Sequence, residues 1–399
     1  MTRQQLPPQI TKVTVTDRRT GKSVVRYQVR VDAGVDPETG KRHQVRRRYR
    51  TEKEARKALT DFQSDAASGN FVPRKDMTVE EMCADWLKSL HWARETTLAG
   101  YKYNLAPLRE EHGELAVQKL TRKHLDDLVA ALKCGGTITE KGHTRRPWAA
   151  RSLKRTIETI TMMLDYAIER KILSHNISRP MRPKPGKKRK PQTYTPDEVA
   201  KVLTSLDADR NGHLWFLALC GLRRSELGGL RWSGVDFTRK TIDVHIGRAS
   251  AGGKAVEDDP KTEASVRTLP MDDDMVEVLK RASRRQAAEK LSVGEAYGKG
   301  GYVACDEAGN PYHPDTLTHK WAKAIKKAGV RHIRLHDARH TCGTTMHLRK
   351  VPLAVIAAWL GHADASVTAR IYTHSQDEAL RAAAKTLGEV VSSRVIDAS

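Results

Sequence analysis

The chain has 399 residues and a formal net charge of +23 at pH 7. A basic surplus of this size favours a partner rich in phosphate groups, and it predicts binding that weakens steeply with salt. No run of about 18 apolar residues is present, which excludes a membrane-spanning helix, and the polar start of the chain lacks a signal-peptide core. Five widely spaced cysteines, an odd number, exclude a disulfide framework. We therefore expect an intracellular, soluble protein with room for two or three domains.

Residues 1–72 are predicted to form a small sheet followed by a helix. Three strand-like runs occupy Lys12–Thr16, Val24–Val31 and Lys41–Arg50, and Thr51 with Glu54 forms a capping box. The third run contains six lysine or arginine residues, and a basic strand can lie in the major groove of DNA. A solvated sheet face would show the same pattern, but the overall charge favours DNA. The candidate DNA-contact residues here are Arg26, Arg30, Lys41, Arg42, Arg46, Arg47 and Arg48.

Residues 73–178 are predicted to form a domain of four helices. A capping box at Thr78 and Glu81 begins the first helix, and an apolar stripe runs along the last, Ala149–Lys171. Basic residues in its loops and helix ends suit phosphate contacts, although solvated helix faces would look similar. These candidates are Lys102, Arg145, Arg146, Arg151, Lys154 and Arg155. Residues 179–192, basic and proline-rich, are predicted to be an extended linker, although nuclear-localisation signals have a similar composition.

Residues 193–399 are predicted to form a mixed, mostly helical domain. Thr195 and Glu198 form a capping box at its first helix. Thr241–Ile246 and Ser265–Pro270 are predicted to pair as an antiparallel hairpin with a long mobile tip. The predicted fold class is therefore multidomain and α+β, mainly helical with small β-sheets.

The residues of greatest chemical interest lie near the C-terminal end. Pro352–Leu360 carries a helical apolar stripe before a C-cap glycine, so His362 lies just past a helix end. His336 and Arg339 are three positions apart and share one helix face. An arginine fork neutralises phosphate oxygens, histidines relay protons near neutral pH, and a phenol can attack as a covalent nucleophile. Together with Tyr372, the set suits transfer of a phosphodiester to a tyrosine.

Each of these residues also has an ordinary structural explanation. Tyr372 is one of ten tyrosines, and a tyrosine near a helix is commonly half-buried packing. His336 and His340 have the spacing of a zinc-binding helix, but Asp337 stands where that motif has glutamate. Metal-dependent hydrolysis is therefore not favoured, and His340 is interpreted as a helix-packing residue.

Three further residues extend the candidate site. Arg223 follows the apolar segment Leu214–Leu219, where a buried helix can hold it rigidly, and Glu226 is placed to orient it. The alternative for this pair is a surface i, i+3 contact worth about 0.2 to 0.5 kcal/mol. Lys261, just ahead of the second hairpin strand, is able to protonate a leaving-group oxygen, and a solvated lysine is its alternative.

In chain order, these motifs resemble those of the tyrosine recombinases, the phage-integrase family of site-specific DNA recombinases. Gly221–Leu227 is similar to the family's first arginine box and Leu335–Thr341 to its second. Pro260–Pro270 is similar to the hairpin that carries its lysine, and Leu360–His362 with Ile371–His374 resembles the third box and the nucleophile. The front half resembles the family more loosely, with an arm-type DNA-binding domain before a helical, SAM-like core-binding domain.

The resemblance implies a chemistry and a role for each motif. The tyrosine attacks the scissile phosphate and leaves a 3′-phosphotyrosyl link and a free 5′-hydroxyl. The two arginines hold the non-bridging oxygens, the lysine protonates the leaving oxygen, and the two histidines assist proton transfer. The implied catalytic set is Arg223, Lys261, His336, Arg339, His362 and Tyr372.

The resemblance also implies the partners. They are double-stranded DNA with core and arm attachment sites, a homotetramer on that DNA, and accessory DNA-bending and directionality proteins. The covalent link conserves the bond energy, so we expect no cofactor and no metal. The expected role is integration or excision of a phage or other mobile element, in the cytoplasm of a bacterial host and in association with its nucleoid.

Two other functions remain open from the residues. A type IB topoisomerase-like enzyme would use much the same side chains, but the basic region Ile10–Asn70 argues against an enzyme that lacks an arm domain. A DNA-binding regulator would need neither Tyr372 nor Lys261.

Overall fold

The structure is a computed structural model that describes residues 5–16, 21–35, 42–67, 76–140, 142–181, 191–258, 266–362 and 384. The chain divides into two compact units. One comprises Met1–Ala93 and Tyr101–Gly186, and the other comprises Arg94–Gly100 and Lys187–Ser399. The predicted fold class is confirmed, because helices predominate and the sheets are small and antiparallel.

The N-terminal part is a three-stranded antiparallel sheet covered by one helix. Its elements are β1 (Ile10–Thr16), β2 (Ser23–Val35), β3 (Arg42–Tyr49) and α1 (Glu52–Ala67), with the strand order β1-β2-β3. Alternation along the strands sends Ile10 and Val29 to one face, where they pack against Ala55 and Leu59 of the helix. The helix begins at the predicted capping box.

Four helices follow α1 along the chain, as predicted. They are α2 (Val79–Ser89), α3 (Glu95–His112), α4 (Arg122–Cys134) and α5 (Ala150–Glu169). Both capping-box hydrogen bonds form at the start of α2, where Glu81 N donates to Thr78 Oγ1 at 3.1 Å and Thr78 N donates to Glu81 Oε2 at 2.8 Å. Apolar faces of the four helices share one core, which contains Leu105, Leu128 and Met163.

The second unit contains a larger, mostly helical core. Its helices are α6 (Pro196–Leu206), α7 (Gly212–Leu219), α8 (Arg224–Gly229), α9 (Asp273–Val293), α10 (Pro314–Lys327), α11 (Leu335–Leu348) and α12 (Leu353–Leu360). Trp215 and Trp321 are fully buried at its centre, with ring centroids 5.7 Å apart. This core fixes α8, which Arg223 immediately precedes, and α11, which carries Arg339.

The strands of the second unit differ in part from the prediction. They are β4 (Val235–Asp236), β5 (Thr241–Val244), β6 (Gly247–Ala251), β7 (Lys254–Asp258) and β8 (Arg267–Pro270). β5 and β8 pair as predicted. The expected mobile tip is wrong for residues 247–258, because β6 and β7 form a separate hairpin. Gly252 and Gly253, with φ of 59° and 84°, supply the two-residue turn that this hairpin requires.

Within the described part of the chain, every helix is too short or too polar to cross a membrane. Residues 182–190 of the predicted linker lie outside the described residues. The sequence also predicts a C-terminal helix over Gln376–Leu387, which lies outside them apart from residue 384.

Candidate active site

Arg223 precedes α8 and is positioned by a tight turn. Its backbone N–H donates to Glu226 Oε2 at 2.8 Å, and its Nη1 donates to Glu226 Oε1 at 2.5 Å. The turn depends on Gly221, whose φ is 104° and whose added Cβ would lie 2.9 Å from Leu360 Cδ2. A residue without a side chain is therefore needed where the loop meets α12.

Arg339 lies on α11 and is 2% exposed. Its Nη1 donates to the carbonyl oxygen of Gly221 at 2.6 Å, and its Nη2 donates to the carbonyl oxygen of Leu360. These bonds fix the guanidinium between the loop before α8 and the end of α12.

The end of α12 presents three successive carbonyl groups to three arginines. Gly361 adopts the left-handed conformation, with φ 62° and ψ 49°, as the C-cap prediction required. The carbonyl oxygen of Trp359 accepts from Arg267 at 2.7 Å, and that of Gly361 accepts from Arg223 at 2.5 Å. The carbonyl oxygen of Leu360, which lies between them in the sequence, accepts from Arg339. The negative end of the helix therefore holds three cationic side chains together.

Glu226 is the acidic group at the centre of this cluster. It is 7% exposed and accepts from both Nη atoms of Arg267 at 2.9 Å, while Arg339 Nη1 lies 3.9 Å away. Burial alone would raise the pKa of Glu226, but the hydrogen bonds and charge of Arg267 and the charge of Arg223 lower it to about 2. The surface-pair alternative for Arg223 and Glu226 is therefore wrong, because the carboxylate is buried and shared.

Three histidines lie near the arginines. The rings of His336 and His340 meet edge to face, with centroids 4.9 Å apart. Part of the His336 ring is exposed, but desolvation of the rest by the surrounding protein lowers its pKa to about 4, and the charges of His340 and Arg339 act in the same direction. Burial and the charges of Arg339 and Arg223 lower the pKa of His362 to about 4 as well. Both rings are therefore neutral at pH 7 and able to exchange protons with a substrate.

The cluster as a whole suits an anionic ligand. Three arginines share one glutamate, so positive charge remains for a phosphate. No grouping of three or more His, Cys, Asp or Glu placed to hold a metal occurs among the described residues.

The comparisons with known proteins fit this arrangement. Residues 193–379 match the phage integrase family, and residues 14–66 match an arm DNA-binding domain. A tyrosine recombinase XerC-like protein of Caldanaerobacter subterraneus subsp. tengcongensis is 27% identical over 387 residues, 91% of this chain and 96% of its own. The ICEBs1 integrase of Bacillus subtilis is 24% identical over 357 residues, 87% of this chain and 93% of its own.

The chain carries a phage integrase family domain, which spans residues 193–379. Solved structures share its fold. A Tn1549 transposon integrase in complex with transposon right end DNA has a TM-score of 0.62 at 18% identity, covering 78% of this chain and 100% of its own. A lambda integrase dimer bound to a COC′ core site has a TM-score of 0.54 at 16% identity, covering 93% and 96%.

The structure brings together four of the six predicted catalytic residues. Arg223, His336, Arg339 and His362 lie in one cluster with the predicted orienting residue Glu226. Lys261 and Tyr372 lie outside the described residues.

Four of the predicted DNA-contact arginines lie on one face of the N-terminal sheet. Arg30 pairs with Arg46 and Gln28 with Arg48, and alternation places all of them opposite the face that packs on α1. Arg26 shares that side of β2, two positions before Gln28. Lys41 lies outside the described residues, as does the side chain of Arg42.

Arg47 lies on the other face of the sheet. It pairs with the buried Val29, and its guanidinium lies over the ring of Phe62 at 5.2 Å from the centroid. The sheet therefore separates Arg47 from the other predicted arginines.

The predicted contact residues of the helical domain fall into two groups. Lys102, Arg146, Arg151, Lys154 and Arg155 are exposed. Arg145 is largely buried and forms an ion pair with Glu110, so its charge is already matched.

Sequence reasoning missed the role of Arg267. Its segment was matched to the family's hairpin, but nothing in its immediate sequence shows that it reaches Glu226, 41 positions away. The missing information is the non-local packing of β8 against α8 and α12.

Proposed function

We propose that this recombinase integrates or excises a mobile element by cutting and rejoining DNA strands at specific sites through a 3′-phosphotyrosyl intermediate. The observation that carries the proposal is the fixation of Arg223 and Arg339 by adjacent carbonyls at the end of α12, beside two neutral histidines. The family and the full-length similarity to other integrases support it.

Arg223 and Arg339 bind the two non-bridging oxygens of the scissile phosphate. Negative charge builds on these oxygens as the phosphate becomes five-coordinate, so fixed donors stabilise that state more than the ground state. Donors of this kind contribute about 3 to 4 kcal/mol each in other enzymes. Because both guanidiniums are already held by the protein, little reorganisation is needed when DNA binds.

Tyr372 is the nucleophile. Its phenolic oxygen forms a bond to phosphorus as the bond from phosphorus to the 5′-oxygen breaks, and Lys261 gives its proton to that oxygen. His336 and His362 accept the phenolic proton or share the proton exchange. The 5′-hydroxyl of a partner strand then reverses the step, so the number of phosphodiester bonds is unchanged and no cofactor is required.

Two surfaces of the first unit bind the DNA away from the reacting phosphate. The arginines on the open face of the N-terminal sheet contact arm sites, and the exposed cations of the helical domain contact the core site. The charge of +23 supports this assignment. A lambda integrase tetramer bound to a Holliday junction, with a TM-score of 0.54, supports a homotetramer as the active assembly. Accessory bending and directionality proteins, and action at the nucleoid in the bacterial cytoplasm, complete the proposal.

The test uses two DNA molecules, one with the joined ends of the element and one with its chromosomal target. Wild-type protein should exchange flanking sequence between them, whereas Tyr372→Phe should bind both DNAs and exchange nothing. Relaxation of supercoiled DNA without exchange would instead favour a topoisomerase, and binding without any strand cleavage would favour a regulator.

Lys261 has a separate chemical test. Replacing the leaving 5′-oxygen by sulfur gives a leaving group that needs no acid. Lys261→Ala should cleave the ordinary substrate far more slowly than wild type and the sulfur substrate at a similar rate. An equal loss on both substrates would contradict the acid role.

A further inference from the structure

Arg267 is a buried arginine that joins three segments of the active site. Its side chain is 7% exposed. It donates to the carbonyl oxygen of Trp359 at 2.7 Å and, through its two Nη atoms, to both carboxylate oxygens of Glu226 at 2.9 Å. It therefore ties the start of β8 to the first turn of α8 and to the last turn of α12.

We propose that Arg267 is a positioning residue for strand cleavage, which neutralises Glu226 so that Arg223 and Arg339 keep their charge for the scissile phosphate. The proposal rests on the proposed function. It adds a residue that does not itself touch the DNA.

The first argument concerns charge. Arg223 lies 2.5 Å from Glu226 and Arg339 lies 3.9 Å from it, so both catalytic arginines are close enough to pair with this carboxylate. Arg267 contacts both oxygens in the planar, two-bond geometry that makes such pairs strong. Without it, the negative charge of Glu226 would be balanced by the two arginines that the phosphate also requires.

The second argument concerns geometry. Arg267, Arg339 and Arg223 hold three consecutive carbonyl groups, those of residues 359, 360 and 361. Loss of the bond between Arg267 and the Trp359 carbonyl releases one side of the helix end, and this helix end positions the guanidiniums of Arg223 and Arg339. Displacements of about 1 Å at a catalytic group can reduce a rate by about 100-fold.

The experiment compares binding with chemistry. Arg267→Met keeps the length of the side chain and removes its donors. We expect its dissociation constant for a core-site duplex to stay within about threefold of wild type, because the proposal assigns Arg267 no contact with DNA. The rate of covalent adduct formation at saturating protein, on a nicked core-site substrate, should fall about 10- to 100-fold.

Arg210 provides a matched control in the same unit. Like Arg267, it is largely buried, pairs with a glutamate through two bonds, at 2.8 and 2.7 Å to Glu289, and donates to a carbonyl, that of Cys305 at 2.7 Å. Arg210→Met should lower stability, but the folded protein should form adduct at the wild-type rate. A rate loss equal to that of Arg267→Met would show that any buried arginine has this effect, and it would overturn the proposal.

A double variant tests the charge argument. Glu226→Gln removes the charge that Arg267 neutralises, so Arg267→Met with Glu226→Gln should form adduct faster than Arg267→Met alone. A double variant as slow as that single variant, or slower, would overturn the neutralising role. If Arg267→Met does not fold, Arg267→Lys with and without Glu226→Gln is measured by the same criterion, since one ammonium cannot make all three bonds.

Failure of the proposed function would give a different result in the adduct assay. In that case wild-type protein would form no adduct on the true site. Adduct formation by wild type, with an equal rate for Arg267→Met, would leave the function intact and overturn the role of Arg267.

Discussion

Arg339 donates a hydrogen bond to the carbonyl oxygen of Gly221 at 2.6 Å and so joins α11 to the loop that carries Arg223. The two arginines that we propose as catalytic are 116 positions apart in sequence, and this bond couples their positions directly. Substitution of Gly221 should therefore shift both Arg223 and Arg339.

Replacing Gly221 by alanine should impair folding and catalysis together. Its φ of 104° is unfavourable for alanine, and the new Cβ would meet Leu360 at 2.9 Å. We expect a loss of about 1 to 3 kcal/mol in the free energy of unfolding, measured with denaturant, and slower adduct formation by the folded protein. Gly252→Ala, at a positive φ with open space around it, is the control and should lose stability without a change in rate. Equal rates for the two variants would contradict this coupling.

Lysine at position 339 should not support strand cleavage as arginine does. A lysine keeps the charge but cannot donate to the Gly221 and Leu360 carbonyls and still present a donor to phosphate. We expect Arg339→Lys to bind a core-site duplex normally and to form adduct about 100- to 1,000-fold more slowly. The rate is measured in a single turnover at saturating protein. A loss of less than about threefold would argue against direct phosphate contact.

The stability of the second unit should fall as the pH drops from 6.5 towards 4. Burial lowers the pKa of His213 from 6.5 to about 4, and its Nε2 lies 3.0 Å from the carbonyl oxygen of Val303. Between pH 6.5 and 4, the His213 imidazole is protonated in the unfolded chain and neutral in the folded protein, so lowering the pH favours unfolding. The contribution of His213, about 3 kcal/mol, is complete above pH 6.5 and lost near pH 4.

Denaturant titrations at several pH values measure this slope. His213→Gln should flatten it, because glutamine cannot gain a proton, while the slope left by His336 and His362 remains. Glu226 affects stability at lower pH. Its pKa is 4.5 in the unfolded chain and about 2 in the folded protein, so its contribution to stability is lost as the pH falls from 4.5 towards 2. An unchanged slope in His213→Gln would contradict the assignment.

The two faces of the N-terminal sheet should respond differently to mutation. Arg46, on the open face, should contact a phosphate, so Arg46→Gln should weaken binding to duplex DNA and reduce the salt slope by about one. Arg47 covers Phe62, and Arg47→Gln should leave the salt slope unchanged. Binding is measured across a salt series with the full chain. Equal slopes for the two variants would show that the sheet does not bind through its open face.

Local signals in the sequence were sufficient to predict most helix ends. The capping boxes at Thr51, Thr78 and Thr195 form as expected, because each involves only a side chain and a backbone group three positions apart. The C-cap glycine after α12 is equally local. The order of the arginine and histidine motifs along the chain could likewise be identified directly from the sequence.

Non-local contacts could not be predicted in this way. The three bonds of Arg267 connect it to residues 41 and 92 positions away, and no spacing rule encodes them. The burial of Glu226 depends on the same packing, so a surface pair was an equally reasonable interpretation of its sequence. The β6–β7 hairpin is a different case, since its Gly252–Gly253 turn is a local signal in the sequence.

Covalent capture tests the central claim most directly. Purified protein is mixed with a core-site DNA nicked just downstream of the cleavage position, and the adduct is digested with protease and mapped by mass spectrometry. The account predicts an SDS-resistant adduct whose DNA is linked through a 3′-phosphate to Tyr372 and which is absent from Tyr372→Phe. Linkage to another residue, or no adduct on a site where the element recombines in cells, would contradict it.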